Sequence, residues 1–227
     1  MLFVIEGLDG SGKSTQVRMM KEYLRTVPQK LEYIHFPRYD APVYGELIGK
    51  FLRGGFGRLE DVHPQLVALL YAEDRHGAAA DIREVLAQGG NVLLDRYVYS
   101  NVAYQCAKLS SREEREALRE WILTTEYDLF GEPRPDLNIF LDVPAGFVES
   151  RLKGSRSGAD RSYLEGNKDI HEADMDFQRR VREVYLRCCE TDPSFLRIDC
   201  AAPDGSMLPP DKIFRKIRAA IDKALAL

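Results

Sequence analysis

The sequence predicts a three-layer α/β protein built around a mostly parallel sheet. Five short apolar runs recur along the chain, and stretches with helical periodicity separate them. Near-continuous apolar runs are typical of strands covered on both faces, and their alternation with helices favours parallel pairing. A glycine-rich turn also joins the first apolar run to the first helical stretch. In this fold class such a turn lies at the carboxyl edge of the sheet, where ligands bind.

The predicted strands are the five apolar runs. They occupy residues 2–5, 33–36, 91–94, 137–143 and 195–199. The first run is ended by Glu6 and has no basic segment before it, so we expect a strand rather than a signal peptide.

Helical patterns occupy the stretches between these strands. The first begins near Lys13 and runs to about Arg25, before Pro28, and the second occupies most of 64–88 and ends at the glycine pair 89–90. Glycine and proline commonly mark such helix ends. The remaining predicted helices lie near 98–108, 111–125, 145–153, 173–190 and 210–226.

Composition excludes several function classes. The chain has 227 residues, of which 44% are hydrophobic and 30% are charged, as expected for one globular domain spanning residues 1–227. A net charge of -4 provides no basic field for nucleic acid, so we expect no nucleic-acid partner. No apolar stretch is long enough for a membrane span. The four cysteines form no C-x-x-C pair, which favours reduced thiols and a cytoplasmic location.

The segment 151–172 departs from this alternation. Its sequence, RLKGSRSGADRSYLEGNKDIHE, is rich in glycine, serine and charge and has no apolar period. A solvated surface loop is the simplest interpretation. Connections of this length are uncommon in compact domains, however, and are often lids over binding sites.

Residues 7–14, GLDGSGKS, match the phosphate-binding pattern G-x-x-x-x-G-K-[ST]. Glycines allow backbone N–H groups to converge on phosphate oxygens, and the start of a helix adds a favourable dipole. In this pattern Lys13 reaches the β- and γ-phosphates and the Ser14 hydroxyl ligates Mg²⁺. The motif predicts a nucleoside triphosphate site but does not identify the phosphate acceptor.

Asp95 and Arg96 follow the third predicted strand in the sequence LLDRY. An acid at this point resembles a Walker B position, where it holds Mg²⁺ directly or through water. The planar guanidinium of Arg96 suits a phosphate or a carboxylate. A purely structural Asp–Arg pair is the alternative.

Three further clusters are weak alone but are predicted to meet at the same edge of the sheet. FPRY supplies Phe36 and Arg38, AEDRHG supplies Arg75 four residues after Tyr71, and YSNVAYQ follows Arg96. The last cluster offers Ser100, Asn101, Tyr104 and Gln105. Aromatic rings stack on a base, amides pair with its edge, and arginines bind phosphate.

Positive charge at a transferring phosphoryl group is predicted to come from the segment 151–172. Arg151, Arg156 and Arg161 lie there, and a mobile segment that carries arginine can exclude water while stabilising the transferred group. Asp169 and Glu172 follow at i, i+3, before the next helix. A solvated charged face is the alternative for these acids.

Together these motifs resemble the thymidylate kinase family. The resemblance extends from Phe3 to about Asp199 and rests on EGLDGSGKST, FPRY, a tyrosine four residues before Arg75, LDRYVYSNVAYQ, FLDVP, a basic lid and DIHE, in that order. It implies a P-loop kinase fold with a five-stranded parallel sheet and a lid at about 151–172. It also implies transfer of the ATP γ-phosphate to dTMP with Mg²⁺, and a homodimer.

The resemblance also implies residue roles. Arg75 is directed to the base and Arg96 to the phosphate, while Asn101 reads the thymine edge and Tyr104 crowds the sugar 2′ position. Tyr71 stands where the family usually has phenylalanine. The expected ATP-binding residues are Gly7, Leu8, Asp9, Gly10, Ser11, Gly12, Lys13, Ser14 and Thr15. The expected dTMP-binding residues are Asp9, Phe36, Arg38, Tyr39, Tyr71, Arg75, Arg96, Ser100, Asn101, Tyr104, Gln105 and His171.

Metal binding and catalysis are assigned on the same basis. The expected metal ligands are Ser14, Asp9, Asp95 and Glu172, and the expected catalytic residues are Lys13, Asp9, Arg96, Arg151, Arg156 and Arg161. Some members of the family have an arginine at the position of Gly10, whereas others place arginines in the lid. This chain is expected to use the lid. The stretch 162–168 resembles an insertion relative to shorter lids of the family.

Three alternatives remain at the level of the sequence. A deoxynucleoside kinase of the same fold would share the phosphate loop, but Arg38 and Arg96 favour an acceptor that already bears phosphate. A GTPase switch is disfavoured because Ile170 occupies the Asp position of N-K-x-D and because DLFG at 128–131 follows a helix. A nucleotide-binding protein without turnover is disfavoured because Lys13, Asp95 and the three arginines are all present.

Overall fold

The structure is a computed structural model that describes residues 1–152, 163–164, 169–172 and 174–226, together with the backbone of residue 153. Within these residues five strands form one parallel sheet. They are β1 (Leu2–Gly7), β2 (Leu31–His35), β3 (Asn91–Asp95), β4 (Leu137–Asp142) and β5 (Phe195–Asp199). All five predicted strands are confirmed, and the largest shift in bounds is at β2, which begins two residues earlier than predicted and ends one residue earlier.

The strand order β2-β3-β1-β4-β5 creates the crevice in which a ligand can bind. Strands β2 and β3 lie on one side of β1 in the sheet, and β4 and β5 lie on the other side. Ligands bind beyond the carboxyl ends of the strands at such a switch point. The phosphate loop leaves β1 there, and the register places Ile5 of β1 opposite Asp95 of β3.

Helices cover both faces of the sheet, which confirms the three-layer prediction. The helices are α1 (Lys13–Leu24), α2 (Tyr44–Leu52), α3 (Pro64–Ala87), α4 (Val98–Cys106), α5 (Arg112–Leu123), α6 (Ala145–Lys153), α7 (Met175–Thr191) and α8 (Pro210–Leu225). Helices α1 and α8 pack together on one face, while α3, α4, α5 and α7 pack on the other. Strands β1 and β3 are buried along their whole length, as their apolar sequences require.

Two elements were not predicted. Helix α2 has glycines at 45 and 49, which have poor helix propensity, so the local sequence gives a weak signal. Its apolar face packs on Val67 of α3 through Ile48, Phe51 and Leu52, and this small second core stabilises it. The second unpredicted element is the π-helical turn Thr124–Leu129, which continues α5. The prediction of a single helix over 111–125 was therefore incomplete.

The interpretation of 151–172 as a solvated loop is wrong for the described part of that segment. Helix α6 extends to Lys153, and Leu164, Asp169 and His171 are all buried. The backbone N–H of Ile170 donates to Leu52 O at 3.1 Å, which attaches this stretch to the end of α2. The described residues 169–172 therefore lie against the end of α2.

Candidate active site

The phosphate loop connects β1 to α1 as the sequence predicts. Gly10 and Gly12 have φ values of 74° and 79°, in the left-handed region that favours glycine. Gly12 is the N-cap of α1, and no side chain caps the helix start. The unpaired N–H groups of the first turn are therefore available to an anion at this edge of the sheet.

Lys13 and Asp95 form an ion pair across the carboxyl ends of β1 and β3. Asp95 also lies 3.3 Å from His35 Nδ1, so its carboxylate is held between two cationic or donor groups. Burial opposes ionisation of Asp95, but the charge of Lys13 and the contact with His35 lower its pKa well below the usual range. Ser14 is exposed in the first turn of α1 and lines the same cleft. The Walker B-like position of Asp95 is thus occupied by an ionised carboxylate.

A second cavity lies beside the phosphate loop, and most of the predicted acceptor-site residues line it. Its wall includes Phe36, Tyr39, Tyr71, Arg75, Arg96, Ser100, Asn101, Tyr104, Gln105 and His171, together with Asp9. Leu52, Asp169 and Tyr163 complete the wall on the α2 side. Residues from six separate stretches of the chain therefore converge on one cavity.

Asp9 and Arg96 form an ion pair where the two cavities meet. Arg96 Nη2 lies 2.7 Å from Asp9 Oδ1, and both residues line the phosphate-loop cleft as well as the second cavity. Tyr104 donates its hydroxyl to Asp9 Oδ2 at 2.8 Å, and Gln178 donates to the same oxygen at 3.2 Å. Although burial opposes ionisation, Arg96 and the Tyr104 hydroxyl lower the pKa of Asp9.

Arg96 has a backbone φ of 67°, which is uncommon for a residue other than glycine. Strain of this kind clusters at functional sites, where surrounding contacts hold it. Here Arg96 Nη1 donates to Ser100 Oγ at 3.1 Å, in addition to its contact with Asp9. The conformation places a guanidinium at the boundary between the two cavities.

Glu6 supports this region, and the sequence analysis did not identify it as functional. Its buried carboxylate accepts from the backbone N–H groups of Tyr97 and Ser100 at 2.9 and 3.1 Å, at the start of α4. Tyr185 of α7 donates to it at 3.0 Å. Burial raises the pKa of Glu6. The sequence does show an acid directly after the apolar run 2–5. Its hydrogen-bond partners are more than 90 residues away, however, so the local sequence does not reveal them.

Arg75 and Asn101 share a partner that was also missed, Glu126 of the π-helical turn. Arg75 is 1% exposed and binds Glu126 through Nε and Nη2, the latter at 2.8 Å. Asn101 Nδ2 donates to Glu126 Oε1 at 2.8 Å and to Ala68 O at 2.9 Å. Despite its burial, the charge and hydrogen bonds of Glu126 raise the pKa of Arg75.

The remaining predicted acceptor residues are placed as follows. Tyr39 stacks on Tyr163 with ring centroids 3.8 Å apart. Gln105 accepts a hydrogen bond from Lys108 at 2.6 Å. The ring of His171 lies between Tyr104 and Phe177, and its Nε2 has no hydrogen-bond partner among the described atoms.

Other predicted residues are not part of the walls of these two cavities. Arg38 binds the buried Asp74, with Nε 3.0 Å from Oδ1, and does not line the second cavity. Glu172 lines neither cavity. Arg151 is exposed, with its guanidinium 5.3 Å from the centre of the Phe147 ring. Arg156 and Arg161 lie outside the described residues.

The fold and the two cavities define a class. A phosphate loop at a parallel sheet, facing a cavity with aromatic, amide and arginine side chains, is the arrangement of a P-loop nucleotide kinase. The chain belongs to the thymidylate kinase family, whose family model matches residues 5–206. Its function is therefore that of a thymidylate kinase, an enzyme of the nucleoside monophosphate kinase class that phosphorylates dTMP.

Relatives and solved structures agree with this membership. The thymidylate kinase of Mycobacterium tuberculosis is 31% identical over 217 residues, which cover 90% of this chain and 99% of that protein. The thymidylate kinase of Leifsonia xyli is 33% identical over 98% of this chain and 94% of that protein. The structure of thymidylate kinase from Candida albicans has a TM-score of 0.72 and 27% identity, and covers 98% of this chain and 91% of that chain.

The described residues contain neither a membrane-spanning helix nor a cluster of candidate metal ligands. No helix in this part of the chain is both long enough and apolar enough to cross a membrane. In the same part of the chain, no three side chains of His, Cys, Asp or Glu come together as a metal-binding group.

Proposed function

We propose that the phosphoryl group passes from ATP to dTMP beside the Asp9–Arg96 pair. The observation that supports this assignment is that both residues line the phosphate-loop cleft and the second cavity. A donor in the first cavity and an acceptor in the second would therefore meet at a carboxylate and a guanidinium. Arg96 would bind the acceptor phosphate, and Asp9 would hold Arg96 and face the acceptor.

The donor site comprises the loop residues Gly7 to Thr15. Backbone N–H groups at the start of α1 bind the phosphates, and Lys13 leaves Asp95 to contact the β- and γ-oxygens. Such groups act by positioning and by charge, because phosphoryl transfer requires little covalent chemistry from the protein.

Mg²⁺ fits the oxygen donors that the chain presents near the loop. This ion is usually bound by one or two carboxylates, substrate phosphates and water. The Ser14 hydroxyl and the ionised Asp95 carboxylate both line the loop cleft and provide such donors. The Asp9 carboxylate is already held by Arg96 and Tyr104, and Glu172 lines neither cavity, so we favour Ser14 and Asp95 as ligands. When bound, the ion would neutralise charge on the transferred phosphate.

The acceptor site is the second cavity. Phe36 and Tyr71 supply aromatic surface for the thymine ring, and Arg75 and Asn101 supply polar groups for its edge. Tyr104, held by Asp9, would crowd a 2′-hydroxyl. Ser100, Gln105, Tyr39 and His171 are further residues of the wall, whereas Arg38 is paired with Asp74 outside it.

The lid assignment also stays a proposal, with residues 151–172 as the lid of a single domain spanning 1–227. Arg151 supports it, because its Cβ lies next to the phosphate loop: a Cβ on Gly10 would be 3.2 Å from it. The guanidinium would have to leave Phe147 to reach a phosphate. The roles of Arg156 and Arg161 rest on the family resemblance.

We further propose a homodimer in the cytoplasm. Leu66 and Leu69 are 63% and 37% exposed on one face of α3, as expected for a surface that a second copy covers. All four cysteines are free, which is consistent with a reducing compartment. Sedimentation velocity tests the assembly, since a species with the mass of one chain would contradict it.

A coupled ATP assay with each nucleoside monophosphate, and with thymidine, tests the acceptor. We expect the highest kcat/KM with dTMP and a smaller value with dUMP, since one methyl group contributes about 1–3 kcal/mol. Phosphorylation of thymidine in preference to dTMP would contradict the acceptor site described above.

The variant Lys13→Ala tests the donor site in the same assay. We expect kcat to fall about 100- to 1000-fold, as when one preorganised charge-stabilising group is removed from an active site. Lys30→Ala is the matched control, because Lys30 is exposed and lines neither cavity. Unchanged turnover in Lys13→Ala would show that the loop lysine is not catalytic.

A further inference from the structure

Glu126 connects the two residues that are best placed to read the base. Its carboxylate is 0% exposed, yet it belongs to the π-helical turn rather than to a strand or helix that lines the cavity. Arg75 of α3 donates to it twice, and Asn101 of α4 donates to it once. One carboxylate therefore accepts hydrogen bonds from side chains of two different helices.

The contact with Glu126 determines the orientation of the Asn101 amide. Its Nδ2 group lies 2.8 Å from Glu126 Oε1 and 2.9 Å from Ala68 O. Both partners are acceptors only, because one is a carboxylate paired with arginine and the other is a backbone carbonyl. Turning the amide over would place Oδ1 against two acceptors. The Asn101 Oδ1 atom is therefore on the side of the amide away from these two acceptors. It has no hydrogen-bond partner among the described atoms.

Glu126 also determines which part of Arg75 is free to act. The two hydrogen bonds to Glu126 use Nε and Nη2, and Nη1 has no acceptor among the described hydrogen bonds. Arg75 and Asn101 both line the cavity. The cavity wall thus presents a guanidinium donor beside an amide acceptor.

We propose that Glu126 is a positioning residue that sets base specificity. The inference rests on the proposed function in one respect, namely that Arg75 and Asn101 contact the base. Thymine presents a keto acceptor at C4 and an N–H donor at N3, which complement Arg75 and Asn101 Oδ1. Cytosine presents an amino donor at C4 and a lone pair at N3. Its donor would therefore face the Arg75 donor, and its lone pair would face the Asn101 acceptor. Rejection is strong when a site's buried polar groups would be left unpaired.

Replacing the carboxylate by an amide removes the constraint on both side chains. In Glu126→Gln the new amide has a donor of its own, so it can accept from or donate to the Asn101 amide. The two orientations of Asn101 then become comparable, and Arg75 loses the charged partner that orients its guanidinium. Discrimination against cytosine should therefore weaken even though no residue of the cavity wall has changed.

The test compares kcat and KM for dTMP, dUMP and dCMP in purified wild-type protein and Glu126→Gln. We expect kcat/KM for dTMP to fall about 10- to 100-fold, as for a misplaced binding group. The preference for dTMP over dCMP should fall about tenfold or more, since it depends on both polar contacts. The KM for ATP should stay at the wild-type value, and this separates positioning from a general loss of structure.

Glu132 provides the matched control. It is a buried carboxylate six residues further along, whose nearest partner is the Tyr97 hydroxyl at 3.2 Å and which does not line the cavity. Glu132→Gln should therefore keep the ratio of dTMP to dCMP activity at the wild-type value. If Glu132→Gln lowered the ratio of dTMP to dCMP activity as much as Glu126→Gln does, the effect would come from removing either buried acid. That result would overturn the specific role of Glu126.

Asn101→Ala separates the failure of this inference from that of the proposed base contacts. If Asn101→Ala weakens discrimination and Glu126→Gln does not, Glu126 is not the positioning residue and the proposed base contacts stand. If neither variant changes the ratio, the base contacts themselves are wrongly assigned. Should Glu126→Gln fail to fold, Glu126→Asp keeps the charge with a shorter reach, and an unchanged ratio in that variant counts against the proposal.

Discussion

At the scale of single residues, Gly10 and Arg151 occupy the same small space above the phosphate loop. A Cβ on Gly10 would lie 3.2 Å from the Cβ of Arg151, which is tighter than ordinary van der Waals contact. A larger side chain at position 10, such as an arginine, would meet the end of α6. The packing of α6 on the phosphate loop therefore disfavours a side chain at position 10.

The variant Gly10→Ala tests this arrangement. Alanine at a φ of 74° is strained by about 1–2 kcal/mol, and its methyl group would displace Arg151. If Arg151 contributes charge to phosphoryl transfer, we expect kcat to fall about tenfold or more with little change in the KM for dTMP. Steady-state kinetics measure both values.

Gly89→Ala is the control for backbone strain alone. Gly89 has a φ of 73°, and a Cβ there would have no neighbour within 4 Å. We expect a similar loss of stability and wild-type turnover. Equal kcat values in wild type and Gly10→Ala would argue against a catalytic role for Arg151.

At the scale of elements, α2 is the helix whose position matters most for the acceptor cavity. Leu52 at its end lines the cavity and accepts a backbone hydrogen bond from Ile170. The start of α2 packs directly on the chain that leaves β2, since a Cβ on Gly45 would lie 2.3 Å from Arg38 O. The same glycine that weakened the helical signal is thus required for α2 to dock.

Gly45→Ala should therefore destabilise the protein, although alanine favours helices. Contact with two backbone carbonyls cannot be relieved by rotating a side chain, so α2 must move. We expect a loss of about 1–3 kcal/mol in the free energy of unfolding, measured by urea denaturation. The KM for dTMP should rise as well, because Leu52 moves with the helix.

Gly146→Ala is the matched control in a second helix. Gly146 lies in α6, where a Cβ would have no neighbour within 4 Å. Its replacement should change stability by less than about 1 kcal/mol, and in the stabilising direction, because alanine restricts the unfolded chain. Stability losses of the same size in both variants would show that contact with the backbone is not the cause.

At the scale of the whole molecule, the buried side chains of Asp169 and His171 make opposite contributions to pH-dependent stability. Burial, followed by the positive charge of Lys108, lowers the pKa of His171 to about 3. Burial, followed by the negative charge of Asp9, raises the pKa of Asp169 to about 7. Below its unfolded pKa His171 binds more protons when unfolded, so its contribution is lost as pH falls from about 6.5 towards 3. Asp169 binds more protons when folded, so its contribution is lost as pH rises from about 4 to 7.

These two effects oppose each other between about pH 4 and 6.5, and His171→Gln should remove one of them. Relative to wild type, the variant's free energy of unfolding should decrease as pH rises, by up to about 1.4 kcal/mol per pH unit, because the variant lacks the stability that His171 adds as pH rises. Urea denaturation at several pH values measures the slope. If the free energy of unfolding changed with pH in the same way in wild type and His171→Gln, the proposal of a buried neutral histidine would be contradicted.

Much of the site was predictable because its signals are local. The phosphate loop, Asp95 and the apolar strands are short patterns, and the strand order then places the ends of β1 and β3 side by side. The supporting acids were not predictable in this way. Glu126 lies 51 residues from Arg75, and Glu6 lies 94 residues from Ser100, so no local spacing reveals either pair.

The amino-acid sequence by itself determined the fold class and the phosphate-loop motif, because strand and helix periods and the glycine-rich motif are properties of neighbouring residues. It also predicted most of the residues that line the second cavity. Only the tertiary structure decided that Arg38 pairs with Asp74 outside the second cavity, that Arg151 packs against Gly10, and that Glu126 orients Arg75 and Asn101. A buried charge must find its partner wherever the fold brings one within reach. That choice depends on the packing of distant elements, which no local pattern records.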